Sequence, residues 1–214
     1  VIPSFAGGRA QTVLHHLAEL KAAGRIPDGP IYLNSPMAAE ALAVQARYPE
    51  SHRLTAQQAE AIRSIARVVS TVEESKRLNE RPGPMVIIAG SGMATGGRVV
   101  HHLKAFAPDP RNTIAFVGFQ AGGTRGAKLA AGAPTVRIHG EEVDVKAEVA
   151  VLDGYSAHAD YAEILDWLRG FEAPPRQTFI VHGESSAAEA MRDRVEAALG
   201  WAVRVPNYLD GATC

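Results

Sequence analysis

Cysteine is almost absent from this chain, with one in 214 residues, Cys214. That excludes an internal disulfide framework and a cysteine-rich metal site. Long hydrophobic runs are absent as well: none approaches the roughly 18 residues of a membrane span, and no signal-peptide pattern opens the sequence. A cytoplasmic location is expected. Charge of one sign is also lacking, since 22 Lys and Arg face 23 Asp and Glu for a net charge of −1. Dedicated duplex nucleic-acid binders carry a basic excess, because neutralising phosphates and releasing counterions supplies most of their affinity. Only a local concentration of positive charge stays open here. There is no internal repeat.

What is present supports a globular α/β protein. At 46% hydrophobic and 21% charged residues, the chain can bury a substantial core in one or two domains. Helical periodicity is expected over 11–23, 36–47, 55–65, 72–80, 97–106 and 160–171, with Pro36 in a first turn and Thr55 as an N-cap. Short β-branched or apolar runs at 30–34, 67–71, 84–89 and 113–119 read as strands between those helices. Such alternation favours a parallel sheet with helices on both faces. After Gly132-Ala133-Pro134 the pattern changes to paired strands over 135–153 with a turn near Gly140-Glu141, followed by a short buried strand at 177–181.

Three strings carry chemistry. Gly154-Tyr155-Ser156-Ala157-His158-Ala159-Asp160 follows the strand expected over 143–153, and Val181-His182-Gly183 closes the one at 177–181. Both histidines therefore stand where a strand ends, the place where layered α/β proteins gather ligands and catalytic groups on loops held by a rigid sheet. Gly90-Ser91-Gly92-Met93-Ala94-Thr95-Gly96-Gly97-Arg98 follows a strand and opens a helix. Its glycines would let the backbone approach a phosphate, and N–H groups at a helix start attract anions. A dinucleotide fingerprint fails at Thr95, where the third glycine belongs, and a P-loop lacks its Lys-Ser/Thr pair. A purely structural turn is the competing account.

The two histidine strings resemble the late histidine motifs of the β-CASP nucleases, within the metallo-β-lactamase superfamily, which cut RNA with two zinc ions. Ile2-Pro3-Ser4-Phe5-Ala6-Gly7-Gly8-Arg9-Ala10-Gln11, Asn34-Ser35-Pro36-Met37-Ala38, the glycine string and Val117-Gly118-Phe119-Gln120 are similar to segments of bacterial and archaeal relatives of the mRNA 3′-end cleavage nuclease. The likeness runs to about Val205, and Ser156-Ala157-His158 differs from the Ser-Gly-His form of ribonuclease J. The resemblance implies an α/β fold: a β-CASP parallel-sheet domain with helices on both faces over 1–152, then the C-terminal part of a metallo-β-lactamase αββα fold over 153–214. The family's main metal-binding string, His-x-His-x-Asp-His, does not occur, and the chain opens at Val1 without an initiator methionine. The expectation is thus a part of a zinc-dependent ribonuclease, inactive alone and binding catalytic metal weakly or not at all.

By the same resemblance, His182 is a ligand to one of two zinc ions, which lower the pKa of bound water to about 7. His158 would sit beside the scissile phosphate and stabilise charge or protonate the leaving 3′-oxygen. Asp160 would orient His158, or cap the helix that follows. Ser91, Gly92 and Arg98 of the glycine string, with Ser156, Arg9 and Arg125, are expected to meet RNA phosphates. Single-stranded RNA is the implied partner, and homodimerisation is left open. The alternative function is a non-catalytic RNA- or partner-binding relative; a doubly wound nucleotide-binding module is a third. His15-His16 and His101-His102 are adjacent on expected helices, where neighbouring side chains point about 100° apart. Together with His52 and His139 they are expected to be structural rather than metal ligands.

Overall fold

The computed structural model describes residues 1–212, so Cys214 lies outside the described residues. The chain divides into two units, Val1–Ser156 and a second that begins at Ala157. In the first, strands and helices alternate: β1 (Ile2–Pro3), α1 (Arg9–Ala22), β2 (Ile31–Asn34), α2 (Pro36–Arg47), α3 (Ala56–Ile65), β3 (Arg67–Val68), α4 (Val72–Glu80), β4 (Val86–Ala89), α5 (Val99–Phe106), β5 (Thr113–Phe116) and α6 (Arg125–Ala130). Then come β6 (Thr135–Ile138), β7 (Glu141–Asp144) and β8 (Glu148–Val151). The helix starts follow from capping chemistry. Ser35 accepts from Ala38 N ahead of Pro36, while Thr55 with Gln58, and Thr71 with Glu74, close capping boxes.

The central strands pair in parallel in the order β1-β4-β2-β3. The Val1 nitrogen donates to Thr113 O at 2.7 Å and Ala115 N donates to Val1 O at 2.9 Å, the hydrogen-bond pattern of a parallel pair. That joins β1 to β5, which in turn pairs in parallel with β8 from Thr113↔Glu148 to Phe116↔Val151. Alternation along each strand explains the two helical layers. Ile31, Leu33 and Ile88 pack with Val13 and Leu14 of α1, Leu42 of α2 and Ile62 of α3. Tyr32, Ile87, Ala89, Ile114 and Phe116 pack with Leu78 of α4, Val99 and Leu103 of α5 and Leu129 of α6.

The structure corrects several strand expectations. The stretch 143–153 is not one strand: β7 pairs antiparallel with β6, and after the backbone N–H groups of Lys146 and Ala147 both turn to Ala107 O, β8 joins β5 in parallel. The change to antiparallel pairing is thus confined to the β6–β7 hairpin. The strand expected over 67–71 stops at Val68, because the Val69 and Ser70 carbonyls accept from the Arg98 guanidinium instead.

That guanidinium belongs to a buried polar network. Arg98 Nη1 donates to Asn34 Oδ1 at 2.7 Å, and Asn34 Nδ2 faces Ser75 Oγ and His102 Nε2, each at 2.7 Å. His102 Nδ1 lies 2.6 Å from Asn79 Oδ1. The amide carbonyl of Asn79 can only accept, so Nδ1 carries the proton and Nε2 accepts from Asn34.

The second unit contains α7 (Tyr161–Leu168), β9 (Thr178–Phe179), α8 (Ser185–Leu199) and β10 (Val203–Arg204), with β9 and β10 parallel. Leu165, Leu168, Val195, Trp201 and Val203 form its core. The strand expected at 177–181 is shorter and half-buried, and Val181 beyond it is 56% exposed. Among the described residues no helix is long and apolar enough to cross a membrane.

The network has a pH signature. Desolvation first, with the positive charge of Arg98 among the lesser causes, pushes His102 down to about 4 from its ordinary 6.5. Between those values the unfolded chain binds a proton that the folded one refuses, so stability falls as the pH is lowered through that window. The loss should reach about 3 kcal/mol by pH 4. Denaturant midpoints measured from pH 7 to 4 should fall more steeply for the wild type than for His102→Gln; parallel profiles would dismiss this origin.

Candidate functional site

The first turn of α1 leads to the turn that opens the first histidine string. Gly8, at φ 76°, delivers Arg9 to the helix start. The Arg9 guanidinium donates to Tyr155 O and lies 5.9 Å from the centre of the Tyr155 ring. Tyr155 itself ends a 3-10 turn (Asp153–Tyr155) and packs against the core on the α1 side of the sheet. Arg9 thus holds the backbone immediately before Ser156, a positioning use that its sequence context did not distinguish from a phosphate contact.

The glycine string between β4 and α5 is folded largely on itself. Thr95 N donates to Ser91 Oγ at 3.2 Å, Ser91 N to Gly96 O at 3.3 Å and Val99 N to Gly90 O at 2.9 Å. Its glycines answer close approaches. A Cβ on Gly92 would come within 2.5 Å of the Phe5 ring, and one on Gly97, whose φ is +69°, within 2.6 Å of Gly90 O. Arg98, at the end of the string, uses three of its five donors on Asn34, Val69 and Ser70.

Arg125, at the start of α6, also braces this string, its guanidinium donating to Ala94 O while Nε donates to Arg137 O at 2.9 Å. It lines a pocket of about 390 Å³ together with Lys128, Arg137 and His139. Lys128 lies one turn along α6 and Arg137 on β6, so packing of the helix on the strand gathers the charge. Sequence reasoning missed Lys128, Arg137 and His139. Only the Arg125–Lys128 spacing, one helical turn, hinted at a shared face.

In the second unit His158 is exposed and stands two residues before Asp160, the cap of α7. Asp160 is that cap: its Oδ1 accepts from Ala162 N at 2.8 Å and Glu163 N at 2.9 Å, and Glu163 returns the bond from Asp160 N. Of the two roles expected for Asp160, the helix cap is the one the geometry displays. His182 follows β9 in the left-handed region at φ 62°, ahead of Gly183 at φ 145°. A non-glycine residue held there marks a backbone fixed by its surroundings, a feature that recurs at functional sites. His182 lines a groove of about 570 Å³ with Tyr161, Trp167 and Arg194, and His158 is not among the residues lining it.

Two family models match, the Beta-Casp domain over residues 10–129 and the Zn-dependent metallo-hydrolase RNA specificity domain over residues 142–206. Ribonuclease TTHA0252 of Thermus thermophilus is 42% identical across 99% of this chain and 49% of its own length. The chain belongs to the β-CASP family. Another relative, transcription termination factor FttA of Pyrococcus abyssi, is 36% identical across 98% of this chain and 34% of its own length. The β-CASP chain thus spans about half of the Thermus relative and a third of the archaeal one.

The family description names zinc. A hydrolytic zinc takes three protein ligands and a water. Among the described residues of this β-CASP chain, the one group of three suitable donors is His15, His16 and Glu19, and neither His158 nor His182 belongs to it. The two histidine motifs do not assemble a zinc site from these residues alone.

A paired substitution tests whether the β-CASP glycine string is rigid by packing. Gly97→Ala should cost roughly 1–3 kcal/mol from its backbone conformation and the clash with Gly90 O. Gly96→Ala, where nothing lies within 4 Å of the added methyl, should stay within about 0.5 kcal/mol. Chemical denaturation of both variants decides, and equal stabilities would refute the packing account.

Proposed function

We propose that these residues form the β-CASP and C-terminal portion of a ribonuclease that hydrolyses RNA phosphodiester bonds. The observation that carries this reading is the 42% identity to a protein named a ribonuclease across 99% of the chain, both histidine strings included. In this reading His158 is the acid or charge stabiliser at the leaving 3′-oxygen. It is exposed, and it stands next to a helix start fixed by the Asp160 capping box. An imidazole can deliver a proton near neutral pH. His182 is one donor of the family's zinc, whose bound water would supply the nucleophile.

The RNA backbone is assigned to the pocket of Arg125, Lys128, Arg137 and His139. Arg9 and Arg98 act by holding backbone carbonyls in place. A second reading is an RNA-binding relative without catalysis.

Cleavage of an end-labelled single-stranded RNA separates the two. In a polypeptide of the relatives' length that contains these 214 residues, His158→Ala should lower turnover by about 10²–10⁴-fold. Equal turnover would remove His158 from the mechanism, and RNA binding without cleavage in the unmodified protein would select the second reading. For the phosphate assignment, Arg137→Ala should weaken RNA binding and reduce the slope of log affinity against log salt by about 0.7. An unchanged slope would move the RNA elsewhere.

A further inference from the structure

α1 carries a second histidine cluster that the ribonuclease reading does not use. His15 Nε2 lies 3.4 Å from Glu19 Oε1, and His16 Nδ1 lies 3.3 Å from Glu19 Oε2. One ligand atom from each of the three residues lies within 4.8 Å of the other two. The two rings, expected to diverge, stand 5.3 Å apart by their centres because Glu19, one turn on, draws both towards it. Two donors on a tetrahedral zinc ion at about 2.1 Å are separated by about 3.4 Å, a spacing that each imidazole already keeps to one of the two Glu19 oxygens. Ordinary helix ion pairs at these spacings contribute little and would not need two histidines on one carboxylate.

A pocket adjoins one member of the cluster, His15. His15 and Gln11, one turn apart, line a pocket of about 360 Å³ between α1 and the residues Ala41, Leu54 and Ile62. Gln11 is 8% exposed; its Nε2 donates to Ala6 O at 3.0 Å, while its Oε1 is buried without a hydrogen-bond partner. Two imidazoles and a carboxylate suit zinc and its neighbours rather than magnesium or calcium, which take oxygen ligands.

We propose that His15, His16 and Glu19 form a site for a divalent transition-metal ion of the zinc class. The site is distinct from His158 and His182 and does not rest on the ribonuclease reading. Because the His16 ring meets the Tyr155 ring edge-on at 5.5 Å, an ion there also fixes α1 against the residue that Arg9 holds.

The test is titration of the metal-free 214-residue chain with Zn²⁺ by calorimetry and with Co²⁺ by visible absorption. The wild type should bind one equivalent at this site and unfold at a higher temperature with Zn²⁺. Glu19→Gln and His15→Ala should each lose that equivalent and the thermal shift, with metal-free midpoints unchanged, while His182→Ala keeps both. A wild type that binds no ion, or Glu19→Gln and His15→Ala variants that retain the equivalent, would overturn the proposal.

Discussion

The carboxyl end of β2 is where a buried polar group must be satisfied, and much of the first unit is arranged to do so. Asn34 is 0% exposed, and an amide in that setting is costly unless its donors and acceptor are met. Both of its N–H groups and its carbonyl are met, by Ser75 of α4, His102 of α5 and Arg98 before α5. One side chain therefore ties the sheet to two helices on the same face. The arrangement forces further choices. His102 must keep the tautomer that accepts from Asn34, and Arg98 must lie across the end of β3, which ends that strand.

Fixing Arg98 also fixes the glycine string that precedes it. Val99 N returns to Gly90 O, and the left-handed Gly97 lets the chain fold over that carbonyl where a Cβ would collide. Arg125 then takes Ala94 O from the other side. A loop held at both ends and through its middle presents a rigid surface at the strand ends, which is what a binding site on a parallel sheet requires. Glycine serves packing here as directly as it would serve access to a phosphate.

Much of the fold could be read before the structure because it is written in local patterns. Thr55 and Asp160 cap helices by short-range hydrogen bonds, and the apolar runs of β2 and β4 are buried on both faces. The strand ends were less legible, since Arg67-Val68 stops where a distant arginine captures the next two carbonyls and β8 pairs with β5, far back in sequence, rather than with the β6–β7 hairpin. The histidine strings were legible as motifs. Their surroundings were not: beyond the one-turn spacing of Arg125 and Lys128, nothing local to residues 123–140 announces that Arg137 joins them, and adjacency alone argued against His15 and His16 meeting on Glu19.

The same point reconciles a net charge of −1 with the RNA partner proposed above. Arg9 and Arg98 are bound to backbone carbonyls, and Arg125 is partly so. An arginine beside a functional loop therefore cannot be counted as a phosphate contact from its position, because a guanidinium has enough donors to brace several carbonyls at once. What matters for a polyanion is the positive charge left facing solvent in one place. In the first unit one such place is the α6–β6 pocket, where Lys128 and Arg137 are exposed and Arg125 and His139 flank them. Local clustering of this kind attracts a single strand without a basic excess over the whole protein, and it leaves the bracing arginines to keep the neighbouring loops in shape.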